Sequence, residues 1–139
     1  MIGKGITDGC KTGVAIVTNQ MFGFWGGIDT KTGIIIDQRH ELYGQNIKGK
    51  VFVFPEGRGS TVGAAVILEL VRCGTAPVAI INKKTESILA AGGILADKFY
   101  NVSLPIVDSL DEDPTIVIKN GDIVKVNGTT GQVTIIKEI

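Results

Sequence analysis

A strand, a glycine-rich turn and a helix follow one another directly in residues 51–74, VFVFPEGRGSTVGAAVILELVRCG. The opening apolar residues are short and rich in Val and Phe, as β-strands are. The helix is predicted over 61–73, with Ser60 as its N-cap and Gly74 as its C′ residue, and Pro77 prevents it from continuing further. The first backbone amides of a helix have no hydrogen-bond partner within the helix, so this turn presents free N–H groups to any ligand that lies next to the helix N-terminus.

Short apolar runs recur along the whole chain between turn residues. Nineteen glycines divide its 139 residues, and the runs between them are rich in Val and Ile, which favour strands. Many strands, few helices and one strand–turn–helix unit predict a mixed α/β protein with an antiparallel or mixed sheet rather than a doubly wound nucleotide-binding fold. The predicted strands are GVAIVT, GIIID, KVFVF, PVAII, TIVI, DIVKV and QVTII.

Two further segments have residue patterns that indicate secondary structure. The C-terminal stretch alternates apolar and polar residues on both sides of the turn NGTTG, from Ile123 to Ile135, which predicts a β-hairpin. Residues 86–97, ESILAAGGILAD, form a weaker helix candidate, because Gly92 and Gly93 disfavour a regular helix while allowing close packing or the approach of a ligand. The sequence leaves the type of this segment open.

Length, charge and hydropathy set the class of protein. A chain of 139 residues with 44% hydrophobic content is predicted to form one domain, 1–139. Fourteen basic residues balance fourteen acidic ones, so the positive surface of a nucleic-acid-binding protein is not predicted. No apolar run is long enough to cross a bilayer, and the first residues, MIGKGITDGCKTG, lack the apolar centre of a signal peptide. We therefore expect a cytoplasmic protein that binds neither nucleic acid nor membranes.

Cysteine and histidine are too sparse for a metal site. Cys10 and Cys73 lie far apart in the sequence, no CxxC pair occurs, and His40 is the one histidine. A zinc site or a thiolate-bound cluster needs three or four such ligands. The sequence therefore predicts no metal bound by this chain, and Cys73, late in an apolar helix, is interpreted as a small buried side chain.

The turn EGRGSTVG resembles a phosphate-binding loop without matching one. A P-loop carries a Lys before its Ser or Thr, and this turn has no lysine. Gly57, Gly59 and Gly63 are spaced GxGxxxG, one residue longer than the dinucleotide-binding pattern. What remains is a helix N-terminus with a partial positive charge next to the guanidinium of Arg58, and both favour a negatively charged ligand. A small anionic substrate fits this turn.

Ser60 has two interpretations. Serine is among the commonest N-caps, so the spacing alone favours a helix cap. A hydroxyl at a helix N-terminus beside an arginine is also a place where an alkoxide is stabilised, as a serine acting as a base without histidine requires. His40 is a conceivable base for Ser60, but nothing in the sequence brings the two residues together. On these grounds alone, cap and base both stay open.

Several blocks, in one order, resemble the small subunits of the aconitase X family. They are the GGID turn and the TG ahead of IIID, then GKVFVFPEGRGST, then CGTAPVAIIN after the helix, and finally GDIVKVNGTTGQV. The resemblance extends over nearly the whole chain. It implies a swivelling β/β/α domain, similar to the C-terminal domain of aconitases and to the small subunit of isopropylmalate isomerases.

The resemblance also implies roles for individual residues. Relatives in the wider group carry a serine in a GSSR-like loop, where it removes a proton α to a carboxylate, and the arginine after it holds a substrate carboxylate. By this resemblance Ser60 is the catalytic base. Thr61 and Val62 follow it here, with no arginine, whereas Arg58 precedes it, so Arg58 is only a candidate anion ligand. The other substrate-binding residues implied are Gly59, Thr61, Gly27 and Asp29.

The reaction implied by the resemblance is the dehydration of (R)-5-phosphomevalonate to trans-anhydromevalonate 5-phosphate in the archaeal mevalonate pathway. Loss of a β-hydroxide needs a base at the α-carbon and a Lewis acid on the leaving oxygen. In this family the Lewis acid is a 4Fe-4S cluster on a large subunit. The chain is therefore expected to be a hydro-lyase subunit that binds no cofactor itself and is active only with that partner, in a heterodimer or a larger assembly.

Three alternatives differ from this hypothesis. The chain could belong to a dehydratase of another hydroxy acid, such as cis-3-hydroxy-L-proline. It could be a non-catalytic binding or assembly module in which Ser60 only caps a helix. A swivelling carrier with a phosphohistidine is disfavoured, because His40 in IIDQRHEL is not in a Gly-rich Ser-His turn.

The aromatic segment before the GGID turn predicts a subunit interface. Phe22, Phe24 and Trp25 cluster beside glycines, a composition found at interface anchors, although ordinary core packing explains it equally well. We expect residues 25–29 and 57–61 to lie on one face that binds the larger protein.

Overall fold

The computed structural model describes residues 1–57 and 62–138, which form a mixed α/β architecture. Within them, the strands are β1 (Lys4–Thr7), β2 (Cys10–Val17), β3 (Val51–Val53), β4 (Ala79–Ile81), β5 (Ile106–Asp108), β6 (Ile123–Asn127) and β7 (Gln132–Lys137). The helices in the same ranges are α1 (Gly63–Cys73), α2 (Ser87–Tyr100) and α3 (Pro114–Val117).

These strands make one mixed sheet in the order β1-β5-β4-β3-β2-β6-β7. Its centre is parallel, because β2 pairs with β3, β3 with β4 and β4 with β5 in the same direction. Its flanks are antiparallel, with β1 on β5 and the hairpin β6–β7 on β2. The prediction of a mixed sheet is confirmed, and so is the C-terminal hairpin.

The sheet curls until its two ends meet. Ile2 forms an antiparallel bridge with Gln132, and the amide of Gly3 donates a hydrogen bond to the carbonyl of Gly131 at 2.8 Å. Glycine is required where the ends cross, because a Cβ at Gly5 would overlap the carbonyl of Gly128. The inner face of the curl holds one apolar core, made of small and β-branched residues: Ala15, Val51, Val53, Ala79, Ile81, Val107, Ile118, Val124, Val126 and Val133.

Two parallel helices cover the outer face of the sheet. Side chains of the opposite strand parity, such as Phe52 and Ile80, form a second core with α1, α2 and the long segment between β2 and β3. The single curled sheet thus supplies two β layers and the helices supply a third, which is the β/β/α arrangement expected above. The helices run side by side with their N-termini together, because Gly63 lies beside Ile88 and Gly92 lies beside Ile67. In residues 1–57 and 62–138, no helix has the length and apolar character needed to cross a bilayer.

Helix α1 differs from its prediction at one end and matches it at the other. It begins at Gly63 with Val62 in the N-cap position, so the assignment of Ser60 as the N-cap is wrong. It ends as predicted, because Gly74 adopts a left-handed φ of 72° and its amide bonds back to the last turn. Its buried residues lie on one face and are Val66, Ile67, Leu70 and Val71.

Three other predictions are settled by turn chemistry and packing. The segment 86–97, whose type was open, is the helix α2, and its two glycines are buried where α2 meets α1 and the sheet. The run GIIID is not a strand, because within it only Ile34 and Ile35 form isolated bridges between close turns. The run TIVI is the short helix α3, since Asp113 caps it through the amide of Thr115 and Pro114 occupies its first position.

Candidate active site

The carboxyl ends of the parallel strands meet at one edge of the sheet. There β2 ends at Val17, β3 at Val53, β4 at Ile81 and β5 at Asp108. The loops after β3 and β4 lead into α1 and α2, so both helix N-termini face this edge. In sheets of this type, ligands bind in the crevice outside the carboxyl ends of the strands. This edge is therefore the candidate active site.

The loop after β3 is held from both sides up to Gly57. The carbonyl of Pro55 accepts hydrogen bonds from the amides of Lys83 at 2.8 Å and Lys84 at 3.2 Å. Phe22 forms a parallel bridge with Gly57, and the amide of Phe22 donates to the carbonyl of Glu56 at 3.3 Å. The chain thus enters the predicted GRGST turn from a fixed position.

Two buried polar side chains connect the loops at this edge. Asn82 is fully buried, donates to the carbonyl of Phe54 at 3.0 Å and accepts from the hydroxyl of Thr85 at 3.1 Å. Asp108 accepts from the amide of Thr85 at 2.7 Å and from the hydroxyl of Ser109 at 3.1 Å. Buried polar groups with satisfied hydrogen bonds hold loops in one arrangement. Neither residue was a sequence candidate, although each directly follows an apolar run, AII and PIV.

The two lysines after β4 differ in their partners. The ammonium of Lys83 forms an ion pair with Asp113 at 3.0 Å. A hydrogen bond from Thr115 and the ion pair with Lys83 hold the pKa of Asp113 below its ordinary value. Lys84 is exposed, and no ion pair involves it within the described part of the chain. Lys84 is therefore a cation available at the candidate site that the sequence reasoning missed.

The predicted site residues divide into two groups. Arg58, Gly59, Ser60 and Thr61, which carry the predicted base and most of the predicted substrate contacts, lie outside the described residues. Their roles stay predictions. The other two, in the GGID turn, are described.

Gly27 has a backbone role in the structure. It is buried, its carbonyl accepts from the amide of Ile36 at 2.9 Å, and a Cβ there would overlap the carbonyl of Gly23 and approach the ring of Phe22. Through Phe22, which bridges Gly57, Gly27 is connected to the loop that precedes α1.

Asp29 lies at the other end of α1. Its carboxylate accepts from the amide of Lys31 at 3.0 Å within its own turn. The next residue, Thr30, accepts a hydrogen bond from the hydroxyl of Thr75, which follows the C-terminal end of α1, at 2.5 Å. An α-helix of 11 residues is about 16 Å long. The structure therefore places Asp29 away from the helix N-termini, and its role in substrate binding stays a prediction.

Two of the three aromatic residues predicted to form a subunit interface are buried in the hydrophobic core. Phe22 and Phe24 are only 1% and 6% exposed, and their rings pack edge to face with centroids 5.0 Å apart. Both belong to the cluster with Phe52 and Phe54, so their assignment as interface anchors is wrong. Trp25 is 64% exposed. The exposed apolar surface of this region consists of Trp25 with Met21 and Ile36.

His40 is a buried residue of the same region. It is 7% exposed, its Nδ1 accepts from the amide of Leu42 at 3.1 Å, and its ring packs edge to face on Phe22 at 5.5 Å. Accepting at Nδ1 leaves the proton on Nε2 in the neutral ring. Nε2 has no hydrogen-bond partner among the residues that the structure describes. His40 is thus a core residue of the segment between β2 and β3, packed against Phe22.

The cysteines and acidic residues of the described ranges do not assemble a metal site. No group of three His, Cys, Asp or Glu side chains there is arranged to hold a metal ion. Cys10 is on β2, and Cys73, at the end of α1, is half-buried rather than fully buried as the sequence suggested. Burial and a hydrogen bond to Glu69 raise the pKa of the Cys73 thiol, which disfavours the thiolate that a metal would need.

Comparison with known proteins gives consistent matches over nearly the whole chain. A phosphomevalonate dehydratase small subunit from Methanosarcina acetivorans is 44% identical over 97% of this chain and 90% of its own length. The protein of the same name from Methanocella arvoryzae is 46% identical over 93% of each chain. A crystal structure of Thermococcus kodakaraensis aconitase X in its holo form superposes with a TM-score of 0.88 at 39% identity, covering 98% of this chain and 97% of that one.

A family model agrees with these relatives. The model for the aconitase X swivel domain matches residues 1–135. The chain therefore belongs to the aconitase X swivel-domain family.

Proposed function

We propose that this chain is the small subunit of a two-subunit hydro-lyase that dehydrates (R)-5-phosphomevalonate to trans-anhydromevalonate 5-phosphate in the archaeal mevalonate pathway. The observation that carries the proposal is the similarity, at 44% and 46% identity over more than nine tenths of this chain, to proteins named phosphomevalonate dehydratase small subunit. These relatives are covered over 90% or more of their own lengths, so the proposal transfers the role of a whole subunit.

The proposed chemistry takes place at the carboxyl edge of the parallel strands. Ser60, in the loop between Gly57 and α1, acts as the base. Its alkoxide oxygen takes the proton from the carbon α to the substrate carboxylate, and the electron pair left there forms the double bond as the β-hydroxide departs. Arg58, Gly59 and Thr61 bind the anionic groups of the substrate. The exposed Lys84 and the N-termini of α1 and α2 at this edge favour a substrate that carries two anionic groups, a phosphate and a carboxylate.

The proposal assigns the Lewis acid for the leaving hydroxide to the partner of this chain. The described residues hold no three ligands that gather around one point, and two cysteines are too few for a 4Fe-4S cluster. In the proposal a 4Fe-4S cluster on a large subunit would supply the Lewis-acid chemistry for the leaving hydroxide. The small chain contributes the base, the anion-binding loop and the cover of the site.

The proposal is tested by reconstitution. The chain and the large subunit encoded by the same organism are purified separately without oxygen, and product formation from (R)-5-phosphomevalonate is measured for each alone and for the pair. We expect the isolated small chain to be folded, colourless and inactive, and the pair to be active. Turnover by the large subunit alone would contradict the catalytic role of this chain.

The choice of substrate is tested in the same preparation. cis-3-Hydroxy-L-proline replaces phosphomevalonate as the matched hydroxy acid, because it also carries a hydroxyl β to a carboxylate but lacks the phosphate. Turnover of hydroxyproline in place of phosphomevalonate would contradict the proposed substrate while retaining the dehydratase reaction.

A further inference from the structure

A cleft of about 360 Å³ lies between the chain that follows β2 and the turn at residues 37–40. It borders the candidate active site, because Phe22 forms a bridge with Gly57 and packs against the ring of His40. No step of the proposed reaction uses this cleft. The residues that line it are Gln20, Met21, Asp37, Arg39 and His40.

One residue of the cleft carries a buried hydrogen-bond donor without an acceptor. His40 is 7% exposed, and its Nδ1 accepts from the amide of Leu42 at 3.1 Å. The proton of the neutral ring is therefore on Nε2. Nε2 is buried and has no partner among the residues that the structure describes. A buried N–H group lowers the stability of a fold unless a water or a ligand supplies an acceptor.

Two more donors of the cleft are available to a ligand. Arg39 is exposed, and no ion pair in residues 1–57 and 62–138 involves its guanidinium. The carboxamide oxygen of Gln20 accepts from the amide of Glu41 at 2.8 Å, so the NH₂ group of Gln20 points away from that bond. An imidazole, a guanidinium and a carboxamide thus offer N–H groups from three side chains.

The acceptors of the cleft are fewer. Asp37 is the one acidic residue of its lining, and its Oδ1 accepts from the amide of Arg39 at 3.0 Å within its own turn. An excess of donors favours an oxyanion, and a phosphate has acceptor oxygens in more directions than a carboxylate has. We propose that this cleft binds a phosphate group, with the Nε2–H of His40 and the guanidinium of Arg39 as its donors.

The single histidine of the chain makes the test direct. Labelling histidine with ¹⁵N gives one imidazole in the NMR spectrum of the full chain, whose tautomer should be the Nε2–H form. Inorganic phosphate, added at constant pH and ionic strength, should shift the Nε2 resonance to saturation, whereas chloride should not. The source of the group is separated with (R)-5-phosphomevalonate and mevalonate. Binding of phosphomevalonate tighter than inorganic phosphate assigns the cleft to the substrate, and equal binding assigns it to free phosphate.

The variants differ in the sign of their effect on the Kd for phosphate, measured by calorimetry. Arg39→Gln removes the charge, and His40→Asn keeps an acceptor for the Leu42 amide but removes the Nε2–H, so each should weaken binding about tenfold. Asp37→Asn removes a like charge and should tighten binding about threefold. Lys48→Gln removes an exposed cation of the same segment outside the cleft and should leave the Kd unchanged.

Three results would overturn the proposal. An imidazole that ignores phosphate, or responds equally to chloride, would leave an ordered water only as the partner of Nε2. An unchanged Kd for Arg39→Gln, whose exposed side chain the fold does not need, or weaker binding by Asp37→Asn would do the same. These measurements use the chain without the large subunit. An inactive reconstituted pair would therefore contradict the proposed function and not the phosphate site.

Discussion

Gly92 of α2 lies against Ile67 of α1 so closely that a Cβ added to the glycine would stand 3.0 Å from the Cβ of Ile67 and 3.3 Å from the Cα of Ala64. These atoms belong to, or are attached directly to, the helix backbone and cannot move aside. A Cβ on Gly93, the next residue, would approach the methyl ends of two side chains, Thr7 at 3.1 Å and Ile106 at 3.2 Å, and would meet the backbone carbonyl of Leu104 at an ordinary contact distance of 3.5 Å. The two adjacent glycines therefore differ in what their neighbours permit.

This difference predicts opposite effects of alanine at the two positions. Alanine gains about 1 kcal/mol of helix propensity at either site, whereas overpacking costs about 1–3 kcal/mol where the neighbours are rigid. Gly92→Ala should lower the free energy of unfolding by about 1 kcal/mol, and Gly93→Ala should leave it unchanged or raise it. Urea denaturation of the isolated chain measures both. Equal stability of the two variants would disprove the close approach of the helices.

Ser60→Ala should separate catalysis from stability. Since Val62 occupies the N-cap position, removal of the Ser60 hydroxyl should change the melting temperature little. The kcat of the reconstituted pair should fall on the order of 100-fold or more, because a positioned base contributes that much. Ser60→Thr keeps the hydroxyl and should retain partial activity. Turnover of Ser60→Ala near the wild-type value would eliminate Ser60 as the base.

Arg58→Ala should affect binding more than proton transfer. If the guanidinium holds the phosphate or the carboxylate, KM rises while kcat changes less. Arg58→Lys is the matched variant, because it retains the charge but not the paired donors. Steady-state kinetics with (R)-5-phosphomevalonate distinguish the two parameters. A fall in kcat at constant KM would assign Arg58 to the chemical step instead.

The exposed surface of Met21, Trp25 and Ile36 should bind the large subunit. Trp25 is 64% exposed, and the backbone around it is connected through Gly27 and Phe22 to the loop at Gly57. Trp25→Ala should weaken association with the large subunit at least tenfold, as loss of a central aromatic anchor does, without lowering the melting temperature of the isolated chain.

The comparison variant for this surface is Phe99→Ala, which removes an aromatic residue that is 67% exposed on α2. Hydrogen exchange locates the contact independently, since residues 21–36 should gain protection in the presence of the large subunit. Protection confined to the end of α2 would assign the interface to the other surface.

Asp113 should make the chain sensitive to acid. Its hydrogen bond from Thr115 and its ion pair with Lys83 lower its pKa in the folded state. The stabilisation is therefore complete above the unfolded pKa, near pH 4, and is lost as the pH falls through the lower folded value. Asp113→Asn keeps a capping oxygen and should lose less stability than the wild type between about pH 5 and pH 2. Glu112→Gln, which removes an exposed carboxylate of the same loop, should retain the wild-type slope.

The sequence predicts an element well where one residue type decides its conformation. Gly74 ends α1 in the left-handed conformation, and the turn NGTTG joins β6 and β7. The sequence predicts an element poorly where hydrogen bonding to a neighbouring strand decides its conformation. The isoleucines of GIIID have strand propensity, but turns at Gly33 and Gly44 limit the segment to isolated β-bridges. At the site, Asn82, Asp108 and Lys84 can be recognised as neighbours only from the topology, which brings the ends of four parallel strands together.

The curl of the sheet sets the order in which the molecule is completed. The amide of Val133 donates to the carbonyl of Met1 at 2.9 Å, so residues separated by 132 positions must meet before the sheet closes. During synthesis, β1 has no partner for this contact until β7 has left the ribosome, and pairings over such a span form slowly. The sheet therefore stays open at this seam until residues 131–133 are available to pair with residues 1–3.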